Sequence, residues 1–215
     1  MNKTRVSNEF IEKIFDEIDI ELIEAIDRDY VHKQNENYVL ISNIYEVPKD
    51  YLNNELNVSG NAFYTIALTK LDCTFCFDHE LDHVPFMMSI EFFRQFATAL
   101  SHSHYNVPLV GFTNIMDEIQ FRTYNFIELD LPILIICEDE IIKDRKCAQE
   151  RIVHFYLYQN SELCAKLDSN IMVIKKDVYL RLRQNSRLSI IKNTDLAPIP
   201  VTNIQLRNKI SSNIY

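Results

Sequence analysis

The sequence predicts an α+β fold in which an antiparallel sheet curls around one long buried helix, with an extra amphipathic helix in front. Three observations carry that expectation. Between Pro85 and His104 the apolar side chains Phe86, Met87, Met88, Ile90, Phe92, Phe93, Phe96, Ala97, Ala99 and Leu100 cover nearly the whole circumference of a helix, which places it in the interior. Short β-rich runs precede this helix and a longer series of them follows it. A single helix among strands lacks the regular alternation that a doubly wound sheet requires.

The elements follow in order. Residues 1–30 are read as an acidic amphipathic helix: Phe10, Ile11, Ile14, Phe15, Ile18, Leu22, Ile23 and Ile26 recur at helical spacing, and Ser7 or Asn8 is available as N-cap. Its apolar stripe must pack on its own domain or on a partner subunit. Tyr38 to Tyr45 and Ala62 to Phe77 are predicted strands, separated by a polar loop from Pro48 to Gly60. Pro85 suits the first turn of the central helix, and Asn106 with Pro108 supplies its stop. Leu109 to Arg122, Pro132 to Ile142, Ile152 to Tyr158 and Glu162 to Lys175 are the later strands. Residues 31–184 thus form one domain, and 185–215 read as a basic, mostly irregular tail. A sheet curled around one central helix is the hotdog arrangement.

Composition narrows the function classes. At 215 residues the chain can bury one full core. Its apolar runs fall short of a membrane span, and the polar N-terminus lacks the pattern of a secretory signal, so a cytoplasmic protein with reduced thiols is expected. The net charge of -9 is unevenly placed. From Glu9 to Asp29 nine acidic side chains face only Lys13 and Arg28, whereas from Lys175 to Lys209 eight basic ones face Asp177 and Asp195. Such a basic segment attracts an acidic carrier protein or a phosphorylated substrate. No nucleic-acid partner is expected, because aromatic residues do not interleave with the basic ones. With only Gly60 and Gly111 in the chain, a glycine-rich phosphate loop is excluded. Cys73 and Cys76 form a lone Cys-x-x-Cys pair read as packing, His154 as a satisfied strand residue, and His102 and His104 as helix-end residues. No metal and no cofactor is expected.

Chemistry concentrates on the central helix. Glu91 and Arg94, at i and i+3, share a face among Phe and Met side chains, where an ionised group must be paired or neutral. A buried ion pair with Gln95 satisfying backbone groups and a functional site are two readings of that spacing. Just ahead lie Asp78, His79, Asp82 and His83, near amide donors of the helix start, which makes an acid-base and oxyanion set.

These motifs resemble the signature of the A-factor biosynthesis hotdog family. The resemblance is carried by Asp82-His83-Val84-Pro85-Phe86-Met87 leading into Glu91-Phe92-Phe93-Arg94-Gln95, with Val31-His32-Lys33, His102, and Glu128-Leu129-Asp130-Leu131-Pro132 in support. It implies a hotdog domain that joins a β-ketoacyl group, delivered as an acyl carrier protein thioester, to the hydroxyl of dihydroxyacetone phosphate. A hotdog thioester dehydratase or thioesterase, and a non-catalytic acyl-binding partner, are the alternatives. By the same resemblance Glu91 is a general base or orienting carboxylate, Arg94 binds phosphate or holds Glu91 ionised, and His83 positions the thioester carbonyl. Asp82, Gln95, His79 and Phe86 complete the implied substrate site. Three departures from the family pattern stand out. Phe86 replaces a glycine, Phe92 and Phe93 replace small residues and would fill part of an acyl tunnel, and one hotdog copy replaces two, which implies a homodimer.

Overall fold

The computed structural model describes residues 4–53, 60–73, 76–77, 80–145 and 148–192. The elements are α1 (Asn8–Glu17), β1 (Tyr45–Glu46), β2 (Asn61–Ala67), α2 (Phe86–Ser103), β3 (Phe112–Thr123), β4 (Ile133–Arg145), β5 (Ala148–Gln159), β6 (Glu162–Lys175) and α3 (Lys176–Lys192). The six strands form one antiparallel sheet in the order β1-β2-β4-β5-β6-β3, and α2 packs in its hollow: this is the hotdog fold.

Alternation along the strands explains how both sheet faces are buried. Phe63, Ile133, Ile135, Cys137, Val153, Phe155 and Leu157 meet Phe92, Phe93, Phe96 and Leu100 of α2 in the main core. Their neighbours Ala62, Ile66, Leu134, Ile136, Tyr156 and Tyr158 point the other way, onto Phe10 and Ile11 of α1. The stripe of α1 is therefore covered by its own domain. The run Ile133 to Asp139 is buried at every position, as expected of a strand covered on both faces.

Four sequence expectations are corrected. The N-terminal helix stops at Glu17, where Ile18 turns extended, and short 3-10 turns follow at Ile20–Leu22 and Arg28–Val31. Asp16 and Glu17 crowd the negative end of the helix with no basic residue in its last turn, which disfavours continuation. The chain then leaves the α1 layer: Leu22 is exposed, and Ile26 joins the main core. Tyr38 to Tyr45 is largely irregular buried chain, tied by single bridges from Ile41 to Ala67 and from Ser42 to Ala25. The strand expected over Ala62 to Phe77 ends at Ala67. Residues 185–192 continue α3, and the rest of the expected irregular tail lies outside the described residues. Among the described residues no helix is long and apolar enough to cross a membrane.

Candidate functional site

The helical repeat places Glu91, Arg94 and Gln95 on adjoining turns of α2, facing the segment that leads from the Arg28–Val31 turn to Leu40. Arg94 grips Glu91 with two parallel bonds, its Nε and Nη2 each 2.7 Å from a carboxylate oxygen, and Nη2 also reaches the Val31 carbonyl at 3.3 Å. Lys33 Nζ lies 2.8 Å from Glu91 Oε1, and Gln95 Nε2 donates to the same oxygen at 2.8 Å. Burial alone would raise the Glu91 carboxyl, but Arg94, Lys33 and Gln95 outweigh it and hold the group down to about 2. A carboxylate so stabilised is a weak proton acceptor near neutrality. It holds two cations in place.

Gln95 is fully buried, and its amide is spent within the protein. Its Oε1 accepts the Leu40 N–H at 2.8 Å, and its Nε2 donates to the Tyr38 carbonyl at 2.7 Å. These bonds satisfy backbone groups of the irregular stretch beside β2.

The two cations line a cleft of about 700 Å³, together with His32, Asn35 and Tyr38, with Ala97 and Thr98 of α2, and with Phe112, Thr113, Asn114 and Met116 of β3 and Ile171 of β6. Nε and Nη2 of Arg94 are engaged with Glu91, so Nη1 is the nitrogen left to meet a ligand. With Glu91 drawn back behind them, Lys33 and Arg94 leave their part of the lining with a net positive charge. The geometry suits a molecule with an anionic end and an apolar body.

His32 stands at the cleft beside Lys33, in the left-handed region at φ 55°, where it closes the preceding turn. Its Nε2 is 2.9 Å from Nε2 of His102, whose Nδ1 is 2.8 Å from the Val107 carbonyl. Burial, then the neighbouring His102 and Arg94, lower His32 from 6.5 to about 4. Burial also lowers His102, so both rings are neutral near pH 7. His102, read from sequence as a helix-end residue, also makes this contact across the fold.

The helix-start group lies elsewhere. Asp82 is almost fully exposed and pairs with His83 Nδ1 at 2.7 Å, which lowers its carboxyl. His83 bridges to Glu128, and its ring meets Phe126 edge-on at 5.4 Å. Neither residue lines the cleft. Phe86 is exposed, with its ring edge against Phe121. His79 lies outside the described residues. Phe92 and Phe93 are fully buried, and Phe93 stacks on Phe155 at 5.1 Å. They fill the core next to Glu91, and α2 meets the open space through Arg94, Ala97 and Thr98.

Lys33 and His32 were not legible as site residues, because contact across sixty positions leaves no periodic trace. Their one signal was the Val31-His32-Lys33 motif. Elsewhere, Cys73 and Cys76 are buried, and burial with the neighbouring Cys73 pushes the Cys76 thiol up to about 12. His154 pairs across the strands with Asp168. Among the described residues no group of three or more His, Cys, Asp or Glu could hold a metal ion.

Comparison with known proteins gives one family and a set of solved structures. The A-factor biosynthesis hotdog domain matches residues 16–175. A putative thioesterase of Lactococcus lactis is 8% identical, with 66% of this chain and 99% of that one covered at a TM-score of 0.44. A hot-dog-like protein from Thermanaerovibrio acidaminovorans is 12% identical over 62% and 95% of the two chains, also at 0.44. A Streptococcus mutans protein bound to acetyl CoA is 12% identical over 63% and 91%, at 0.39. No curated protein matches the sequence.

Proposed function

The chain belongs to the A-factor biosynthesis hotdog domain family, and from that membership we propose that it moves a β-ketoacyl group from an acyl carrier protein thioester to the hydroxyl of dihydroxyacetone phosphate. The observation that carries this reading is the cleft, in which Lys33 and Arg94, clamped on an ionised Glu91, share the lining with Phe112, Met116 and Ile171. The cations receive the phosphate, and Phe112, Met116 and Ile171 receive the acyl chain. Arg94 is suited to phosphate by its planar fork of donors. Glu91 serves here as the orienting carboxylate.

Two further parts of the reading concern partners. The stretch of α3 from Leu180 to Ser189 is exposed all round and carries Arg181, Arg183 and Arg187 with Leu180, Leu182 and Leu188, a surface suited to an acidic carrier protein. We also propose a homodimer. The outer edge of β3 has no strand beside it among the described residues, and exposed Leu109, Val110 and Ile119 accompany it, as an edge awaiting a partner would have. Light scattering at micromolar concentration should give twice the chain mass; a monomer would count against the dimer.

The test of the reaction is to incubate the protein with β-ketoacyl carrier protein, with and without dihydroxyacetone phosphate, and to follow both by mass spectrometry. Loss of the acyl group that requires dihydroxyacetone phosphate and yields a new ester supports the proposal. Release of the acyl group without it replaces the proposal with thioester hydrolysis, and loss of water from a β-hydroxyacyl carrier protein in a parallel incubation replaces it with dehydration.

A further inference from the structure

With both rings neutral, the geometry of His32, which lines the cleft, and His102 behind it assigns their protons. The Val107 carbonyl can only accept, so His102 Nδ1, 2.8 Å away, carries a hydrogen and donates it. A neutral His102 then presents Nε2 as an acceptor. At 2.9 Å from it, His32 Nε2 is the donor. The one ring nitrogen of His32 left without a hydrogen is Nδ1. The chain thus reads Val107 carbonyl, His102, His32, with each imidazole in a defined tautomer. His102 is buried, which shields this relay from water, whereas His32 is half-buried and lines the cleft next to Lys33.

We propose that His32 Nδ1 is the general base of the acyl transfer and that His102 is the positioning residue that keeps this nitrogen free of hydrogen. The proposal rests on the reading of the cleft given above and adds the group that moves the proton. In the step, His32 Nδ1 takes the proton of the acceptor hydroxyl as its oxygen bonds to the thioester carbonyl carbon. The tetrahedral centre then collapses with breakage of the carbon–sulfur bond, and the proton passes from His32 to the departing thiolate. An ester and a free carrier-protein thiol result, with no redox change. This arrangement parallels the general rule that a catalytic base is oriented by a third group behind it. The titratable and charged groups near His32 are Arg94, the neutral His102 on α2 and Asp29 on the preceding turn, with Lys33 next in the chain. An acceptor phosphate bound by Arg94 and Lys33 would offset part of the positive field and strengthen the base when substrate is present.

The experiment compares single-turnover transfer by the wild type, His32→Gln and His102→Asn across pH, with folding of each checked by thermal melting. Gln at 32 can keep a donor toward His102 but has no basic nitrogen. Its transfer rate should fall by about 10²- to 10⁴-fold, while dihydroxyacetone phosphate affinity stays within about threefold of wild type, against the 1.4 kcal/mol that a tenfold change represents. Asn at 102 can keep a donor for the Val107 carbonyl and removes the ring behind His32. Because His102 helps lower His32 to about 4, the acid limb of the rate profile should move to higher pH in this variant. A folded His32→Gln that transfers at the wild-type rate overturns the proposal alone. A wild type that shows no transfer overturns the reaction and this proposal together. An unchanged acid limb in His102→Asn removes the positioning role.

Discussion

Two carboxylate–guanidinium pairs hold the central helix, and they differ in what surrounds them. Asp139 and Arg151 lie on the neighbouring strands β4 and β5, 2.8 Å apart and with no solvent exposure. Arg151 also donates to the Ala97 carbonyl and the Ser101 hydroxyl, and its guanidinium lies over the Tyr105 ring at 4.8 Å. Glu91 and Arg94, one turn apart on α2, are bonded as tightly, yet the Arg94 side chain is 35% exposed at the cleft. The same chemistry thus serves two ends. The sealed pair fastens the helix to the sheet, and no ligand can reach it. The open pair spends its carboxylate on fixing two cations whose remaining valence faces a space large enough for a substrate.

The electrostatics follow the same division. Burial pushes the Asp139 carboxyl up to about 6 against the pull of Arg151, and Asp139 Oδ1 and Arg151 Nε find no partner among the described residues. Glu91, with three donors on it, is held down to about 2. One site tolerates its charge, and the other is built around it.

The largest effect that separates the two pairs is on stability. Arg151→Met leaves the Asp139 carboxylate buried alone and should cost about 3–5 kcal/mol in urea denaturation. Arg94→Met should cost about 1 kcal/mol, since Arg94 is partly exposed and Lys33 and Gln95 still hold Glu91. Equal losses would erase the distinction. Next comes the pH dependence. The stability from Glu91 is present above its ordinary value of 4.5 and lost as pH falls through about 2, a span worth about 3 kcal/mol. Asp139 acts in the opposite sense: its raised value favours the folded state below 3.8, and that advantage disappears as pH rises through about 6. Denaturation midpoints should therefore show a flattened acid limb in Glu91→Gln and a smaller decline between pH 4 and 6 in Asp139→Asn. A third effect concerns ligands. Arg94→Met should weaken dihydroxyacetone phosphate binding by about 10- to 100-fold in calorimetry, the range for a charged hydrogen bond. The smallest is expected at the helix start, where His83→Gln should leave that affinity within about twofold, because His83 does not line the cleft. A larger loss would bring the helix-start group into the acceptor site.

Much of the fold was legible because its elements are long and their periods distinct. The run Glu162 to Lys175 is a strand over its full predicted length, and α2 begins one residue after Pro85. The failures came where two physical signals overlapped. Ile18, Leu22 and Ile26 continue a helical spacing beyond Glu17, yet the piled negative charge ends the helix there, and burial of Ile26 belongs to another layer. Tyr38 to Tyr45 has strand composition, but Gln95 from α2 takes up the Tyr38 carbonyl and the Leu40 amide. In the candidate site, Glu91, Arg94 and Gln95 were visible through their spacing on one helix. Lys33, His32 and the His32–His102 contact depend on how distant segments meet, which spacing does not encode.

On the proposed function, the open ion pair and its neighbouring histidine receive the phosphorylated acceptor. The most direct test of that assignment is a side-chain NMR titration of the protein with dihydroxyacetone phosphate, following the Arg94 guanidinium, the Lys33 ammonium and the His32 and His83 rings. Saturable shifts are expected at Arg94, Lys33 and His32, with little change at His83. Saturable shifts centred on His83, with Arg94, Lys33 and His32 unmoved, would contradict it.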